Sequence, residues 1–109
     1  MDIEKYRKGR QVAVLYSPRY GAGWTSWNET YKTFLAMDKG LVELVLNEAS
    51  REEVDKYIKD KLGPDSYVYT GGWRDIAIEW LTEGTAFRIT EYDGYEQIEL
   101  GGKVDWMVT

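Results

Sequence analysis

The chain contains neither cysteine nor histidine among its 109 residues. Disulfide staples, thiol catalysis, Cys/His zinc sites and a Ser-His-Asp triad are therefore excluded within one chain. Positive charge is also short: 14 Lys and Arg against 19 Asp and Glu leave a net charge of −5 and a pI near 4.8. Binding to a phosphate backbone needs a clustered basic face, so nucleic acid is not the expected partner, although a local basic pocket stays open. The acids are interspersed with Lys and Arg, which argues against mimicry of nucleic acid. No apolar run approaches the length of a membrane span, and the first residues, MDIEKYRKGR, are charged throughout without the apolar stretch of a secretion signal. A soluble protein of the cytoplasm, not bound to a membrane, is expected.

What is present is 43% hydrophobic and 30% charged sequence, the balance of a folded chain, at a length that fits one domain over residues 1–109. The stretch from Gly71 to Leu100 reads as three successive antiparallel strands. Ile76, Ile78 and Trp80 alternate with Asp75, Ala77 and Glu79, the period of a half-buried strand. Gly84 marks the next turn, and Phe87 and Ile89 alternate with Arg88 and Thr90. Asp93-Gly94 is a two-residue hairpin signal. A type I′ turn there pairs Tyr92 with Tyr95, Glu91 with Glu96, Ile89 with Ile98, Arg88 with Glu99 and Phe87 with Leu100. That register puts Phe87, Ile89, Ile98 and Leu100 on one face and a favourable Arg88–Glu99 pair on the other. It also sets Glu91 opposite Glu96 on the core side, where two like charges repel unless solvent, a cation or a hydrogen-bond donor intervenes.

Before this region, Gln11 to Tyr16 is a β-branched run that fits an inner strand buried on both faces. SPRYGAGWTSWN follows as an irregular loop rich in aromatics and hydroxyls. Ser26 with Glu29 matches a capping box, so a helix is predicted from near Trp27 to Asp38-Lys39-Gly40, with Trp27, Tyr31, Phe34 and Leu35 on its apolar face. Leu41 to Asn47 fits a strand or a helix, and the helical reading is preferred. Ser50 and Glu53 form a second capping box, opening an amphipathic helix that stops at Gly63-Pro64. Tyr67 to Thr70 and Val104 to Val108 fit short strands. The expected fold is α+β: a mainly antiparallel sheet, made of the C-terminal three-strand meander plus the N-terminal strand, covered by two or three helices.

Three groups of residues carry candidate chemistry. In the loop from Ser17 to Asn28, Gly21, Gly23 and a helix start would offer backbone N–H groups to an anion, with side-chain donors from Ser17, Arg19, Thr25, Ser26 and Asn28. Tyr20 and Trp24 could stack on a base. Neither GxxxxGK[ST] nor GxGxxG is present, so no named phosphate loop is claimed. The competing reading is a tight glycine turn whose tryptophans plug the core and whose Ser26 caps its own helix. Arg74 is a further anion contact or a surface ion-pair partner. Glu91, Asp93 and Glu96 could hold a hard cation or act as acid and base; alternatively they are a solvated hairpin tip. Finally, five Trp, nine Tyr and two Phe are many for a small domain, residue types enriched at interfaces and ligand sites; packing explains Trp27, Trp80 and Phe87 on predicted core faces, and Tyr69, Tyr92 and Tyr95 are the better surface candidates.

The LYSPRYGAGWTSWN stretch, taken with YTGGWRDIAIEWLTEGTAFRITEYDGYEQIEL and the ending VDWMVT, resembles a family of small, uncharacterised proteins of tailed bacteriophages and prophages. The resemblance covers most of the chain and rests on the GAGW loop combined with the EGTxFRIxEYDG hairpin. It implies an accessory role in the cytoplasm of an infected bacterium, such as countering a host defence, and carries over no functional residue. The expectation is a non-enzymatic binding protein that sequesters a nucleotide-like ligand through the residues from Arg19 to Asn28. The alternatives are an inhibitor or adaptor of a host protein using exposed Tyr and acidic residues, and a cation-dependent hydrolase run by Glu91, Asp93 and Glu96. No cofactor and no metal is expected, and a homo-oligomer built on exposed sheet edges is open.

Overall fold

The computed structural model describes residues 3–102 and 106–109. The fold is α+β, with helices and two antiparallel three-stranded sheets. Strands β1 (Arg7–Lys8) and β2 (Gln11–Tyr16) form a hairpin, and β3 (Ala77–Thr82) pairs along the whole of β2. The second sheet has the order β5 (Tyr95–Leu100), β4 (Ala86–Tyr92), β6 (Met107–Val108). Helices α1 (Lys32–Met37), α2 (Lys39–Leu46) and α3 (Arg51–Leu62) fill the segment between β2 and β3. None of the helices is long and apolar enough to cross a membrane, among the described residues.

Strand β2 is central, as its β-branched pattern predicts: residues 12–15 are fully buried. Its two faces serve two cores. Ala13 and Leu15 pack with Trp24, Leu35, Val42 and Val54 under the helices. Val14, on the opposite face, meets Leu81, Phe87, Met37 and Met107, where the second sheet closes over the first. The predicted hairpin register is the observed one in every pair from Tyr92↔Tyr95 to Phe87↔Leu100. Arg88 and Glu99 make the expected cross-strand ion pair at 3.1 Å. Leu100, on the edge strand, is exposed rather than buried beside Phe87.

The meander itself is divided. Strand β3 stays with β2 and hands the chain to the second sheet at a corner held from outside. Glu83 N–H donates to Arg10 O (2.7 Å), Thr85 Oγ1 donates to Thr82 O (2.6 Å) and Thr109 Oγ1 donates to Thr82 O (2.7 Å). These contacts supply hydrogen-bond partners that a β3–β4 ladder would otherwise provide, and β4 departs toward β5 and β6.

The helical region follows its caps. Ser50 Oγ accepts the Glu53 N–H, and α3 ends at Gly63, as the capping box and Gly63-Pro64 predict. Leu41 to Leu46 is helical, part of α2. The first helix is shorter than predicted: a 3₁₀ turn, Glu29–Tyr31, precedes α1, and Ser26 does not cap it. Asp38 both ends α1 and caps α2, its Oδ2 accepting the Leu41 N–H at 3.1 Å. Tyr67 to Thr70 forms no strand, because the Asn28 side chain takes the ladder's place. Its Oδ1 accepts the Tyr69 N–H (2.8 Å) and its Nδ2 donates to Tyr69 O (2.9 Å). Of the predicted final strand only Met107–Val108 is observed as β6, and residues 103–105 lie outside the described part.

Candidate functional site: the hairpin tip and the glycine loop

The Asp93-Gly94 turn plugs directly into the Ser17–Asn28 loop. Asp93 and Gly94 both have positive φ, 50° and 82°, as a type I′ turn requires. That geometry turns their carbonyls toward the loop, where Gly21 N–H donates to Asp93 O (2.6 Å) and Gly23 N–H to Gly94 O (2.9 Å). The approach is close enough to need glycine: a Cβ on Gly94 would lie 2.8 Å from Ala22 N and 3.0 Å from Gly21 N.

Beneath this contact the loop binds an anion, and the anion is the chain's own Glu96. The carboxylate is fully buried at 0% exposure. Its Oε1 accepts from Ser17 N–H (2.9 Å) and Ser17 Oγ (3.2 Å). Its Oε2 accepts from Thr25 N–H (2.9 Å), Ser26 N–H (2.8 Å), Ser26 Oγ (2.6 Å) and, more distantly, Thr25 Oγ1 (3.4 Å). Ser17 Oγ in turn accepts the Trp24 N–H at 3.1 Å, so the network closes on itself. Burial of a charge is tolerable only when it is bonded on all sides, and here backbone N–H groups and hydroxyls supply that compensation.

Several expectations are corrected by this arrangement. Glu96 is not part of a solvated tip, and Ser26 spends its hydroxyl on Glu96 instead of on its own helix. Trp24 cannot stack on a ligand: it is fully buried, donates Nε1–H to Leu35 O (2.7 Å), and packs against Trp73 with ring centroids 5.7 Å apart. Trp27, predicted on a core face, is 46% exposed and roofs the junction beside Tyr69, with centroids 5.5 Å apart. The three tip carboxylates do not converge. Glu96 points into the loop, while Glu91 Oε2 accepts the Gly94 N–H at 2.8 Å. Among the described residues no group of three such side chains is gathered in a metal-ligating cluster.

The remaining candidate residues separate by exposure. Thr25 and Asn28 are buried in structural bonds, Asn28 clamping Trp24 O (2.7 Å) as well as Tyr69. Arg19 is exposed and reaches Asp75 at 4.0 Å, and Arg74 is exposed in a 3₁₀ turn, Gly71–Asp75. Tyr20, by contrast, joins a new cluster. Its ring centroid is 5.1 Å from that of Tyr95 and 6.3 Å from that of Tyr92. Tyr20 is 70% and Tyr92 73% exposed. With Thr90, Glu91 and Gln97 the three rings line an open cleft of about 420 Å³. The hairpin register already placed Tyr92, Tyr95, Thr90 and Gln97 on one face, and only the arrival of Tyr20 from the loop was hidden.

A larger cleft, about 580 Å³, lies between the N-terminal segment and the helices, around Asp38, Lys39, Tyr57 and Lys61. Lys39 pairs there with Glu4 at 3.5 Å, and Tyr57 donates its hydroxyl to Asp38 at 2.6 Å. Burial pushes the Tyr57 phenol well above its ordinary value of 10.0, with the Asp38 hydrogen bond adding to the shift. Near the tyrosine cleft, burial likewise raises Tyr16, helped by the charge of Glu79. Comparison of the chain with protein-family models, with curated proteins and with solved structures finds no match.

Proposed function

We propose that this protein is a non-enzymatic binding module that meets a partner protein with the outer face of its hairpin tip, through Tyr20, Tyr92 and Tyr95. The observation that carries this reading is the contrast between a saturated interior and an aromatic exterior. The anion-binding capacity of the loop is used by Glu96, so a nucleotide phosphate would have to displace a buried carboxylate with six donors. Tyr20 and Tyr92 stand in water beside the half-buried Tyr95, on a base fixed by backbone hydrogen bonds. Tyrosine provides large contact area at low conformational cost, and a rigid base reduces the ordering that binding must supply. In the setting implied by the resemblance to phage proteins, the partner is a host protein in the bacterial cytoplasm, and the module acts as an inhibitor or adaptor.

The test is quantitative affinity capture from bacterial lysate with the wild type and with a Tyr20→Ala, Tyr92→Ala variant of matched melting temperature. A partner retained by the wild type and depleted about tenfold or more with the variant is expected, since truncated aromatic anchors commonly cost that much. Equal recovery by both proteins overturns the reading.

A further inference from the structure

We infer that the outer edge of β5 pairs with the same edge of a second copy of this chain. The two strands run antiparallel about a twofold axis at Glu99, and the two three-stranded sheets join into one. The pairing is independent of the tyrosine interface. In a two-residue hairpin the closing pair, here Tyr92 with Tyr95, exchanges its N–H and C=O bonds, and every second pair along the ladder does the same. Gly101 N–H, donating to Ala86 O at 3.1 Å, keeps that phase. Thr90 with Gln97 and Arg88 with Glu99 therefore bond across the hairpin, while Glu96, Ile98 and Leu100 turn their backbone groups away from β4. Ser17 O accepts the Glu96 N–H at 3.0 Å. Among the described residues nothing bonds the N–H or C=O of Ile98 or Leu100, on a strand that ends its sheet.

This edge is complementary to itself. With the axis at Glu99, Ile98 of each copy faces Leu100 of the other, and each pair exchanges two bonds, so all the open groups of Ile98 and Leu100 are used. An axis at Ile98 would set Leu100 against Glu96, whose N–H is already taken. The side chains agree with the first register. Leu100 is 59% exposed and lies on the same face as Ile98, so pairing covers it with Ile98 of the second copy. On the other face Glu99 meets Glu99, and like charges directly opposite repel. Here each brings its own counter-ion: Arg88 Nη2 lies 3.1 Å from Glu99, and its guanidinium is seated over the Trp106 ring at 4.9 Å. The edge of β3 shows the opposite arrangement. Glu83 N–H donating to Arg10 O fixes its phase, so Ile78 and Trp80 turn outward, and they too are unmet among the described residues. Between them stands Glu79, exposed and without an ion-pair partner among the described residues. The same symmetric pairing on β3 would bring two bare carboxylates together, a charge that keeps an edge strand single. Strand β5, YEQIEL, carries neither a proline nor a lysine to block its edge. Tyr92 and Tyr95 share the face of Glu99, so the dimer presents two tyrosine clefts on one side of the joined sheet.

The experiment is sedimentation velocity on the purified chain from about 1 μM to about 1 mM, with amide hydrogen exchange followed by NMR at both ends of that range. A reversible monomer–dimer equilibrium with Kd below about 100 μM is expected. The Ile98 and Leu100 amides should exchange about tenfold or more slowly at the high concentration, while those of Ile78 and Trp80 stay unchanged. Leu100→Lys, at a position open to solvent in the monomer, should weaken the dimer about tenfold or more. Arg88→Gln leaves the two Glu99 carboxylates bare and should weaken it about as much, and adding Glu99→Gln should restore it to within about threefold. A monomer throughout the range, a dimer that protects Ile78 and Trp80 instead of Ile98 and Leu100, or a Kd unmoved by Leu100→Lys overturns the inference. Partner capture by the monomeric Leu100→Lys variant tests the tyrosine face separately, so either can fail alone.

Discussion

Two buried acids organise this molecule, and they are held in opposite ways. Asp38 sits at the corner between α1 and α2, bonded to Leu41 N–H three residues on and to the Tyr57 hydroxyl. Glu96 sits in the glycine loop, and every one of its donors is 70 to 79 residues away along the chain. Asp38 finishes a helix that would exist in weaker form without it. Glu96 substitutes for regular structure: the Ser17–Asn28 loop has almost no ladder of its own, and the carboxylate gathers the N–H groups that would otherwise be stranded.

The sharpest way to break the comparison is Glu96→Leu. It removes the acceptor and leaves the buried N–H groups of Ser17 and Thr25 and the partly buried one of Ser26 unpaired, at about 1–3 kcal/mol each. A total above about 5 kcal/mol is expected, comparable to the whole stability of a small domain. Urea denaturation should find the variant unfolded or nearly so. Glu96→Gln separates charge from shape. Its amide oxygen can serve one half of the network while its NH₂ faces donors on the other, and a loss of about 3 kcal/mol is expected. A loss below about 1 kcal/mol for Glu96→Leu would show that water replaces the carboxylate, and that the loop does not depend on it.

Asp38→Ala is the milder counterpart. It deletes a helix cap worth about 0.5–2 kcal/mol and leaves the half-buried Tyr57 hydroxyl without its acceptor, so about 2 kcal/mol in all is expected from the same denaturation experiment. If Asp38→Ala cost as much as Glu96→Leu, the distinction between capping a helix and replacing regular structure would fail.

The same contrast explains what could be read from the sequence. Asp38 at the end of one helix, Ser50 with Glu53, Gly63-Pro64 and the Asp93-Gly94 register all act within a few residues, and those elements fall where local rules place them. The loop was legible in chemistry but not in partner. Its glycines and hydroxyls do bind an anion, yet the anion comes from a strand some 70 residues later. The trace of it in the sequence was the clash itself: Glu91 opposite Glu96 on the core side demanded a donor, and the loop offered donors without an acceptor. Joining the two needs the docking of Asp93 and Gly94 carbonyls on Gly21 and Gly23, a tertiary contact no local period reveals. Trp24 and Tyr20 were equivalent as loop aromatics for the same reason. Only the docked hairpin decides that one is core and the other surface. Likewise Tyr67 to Thr70 has strand composition, but the Asn28 side chain takes the backbone groups a neighbouring strand would have used.

The smallest expected effect is on the dependence of stability on pH, and it isolates the Asp38 corner from the loop. Burial, the hydrogen bond to Asp38 and the charges of Asp38 and Glu43 raise the Tyr57 phenol above 10.0 in the folded chain. Below pH 10 both folded and unfolded chains hold this proton, and the stabilisation is fully present. As pH rises past about 10 the unfolded chain releases its proton while the folded chain retains it, so stability falls. Tyr57→Phe removes both the bond and the titration. It should be less stable than the wild type by about 1 kcal/mol at pH 8. Between pH 9 and 11 that difference should narrow, because the wild type loses stability that the variant never had. Tyr16, also raised by burial, titrates in both proteins and drops out of the comparison. Urea midpoints at several pH values measure the gap. A gap that stays constant to pH 11 would mean that the Tyr57 proton is no more tightly held in the fold than outside it, and that the Asp38 corner rests on its helix cap alone.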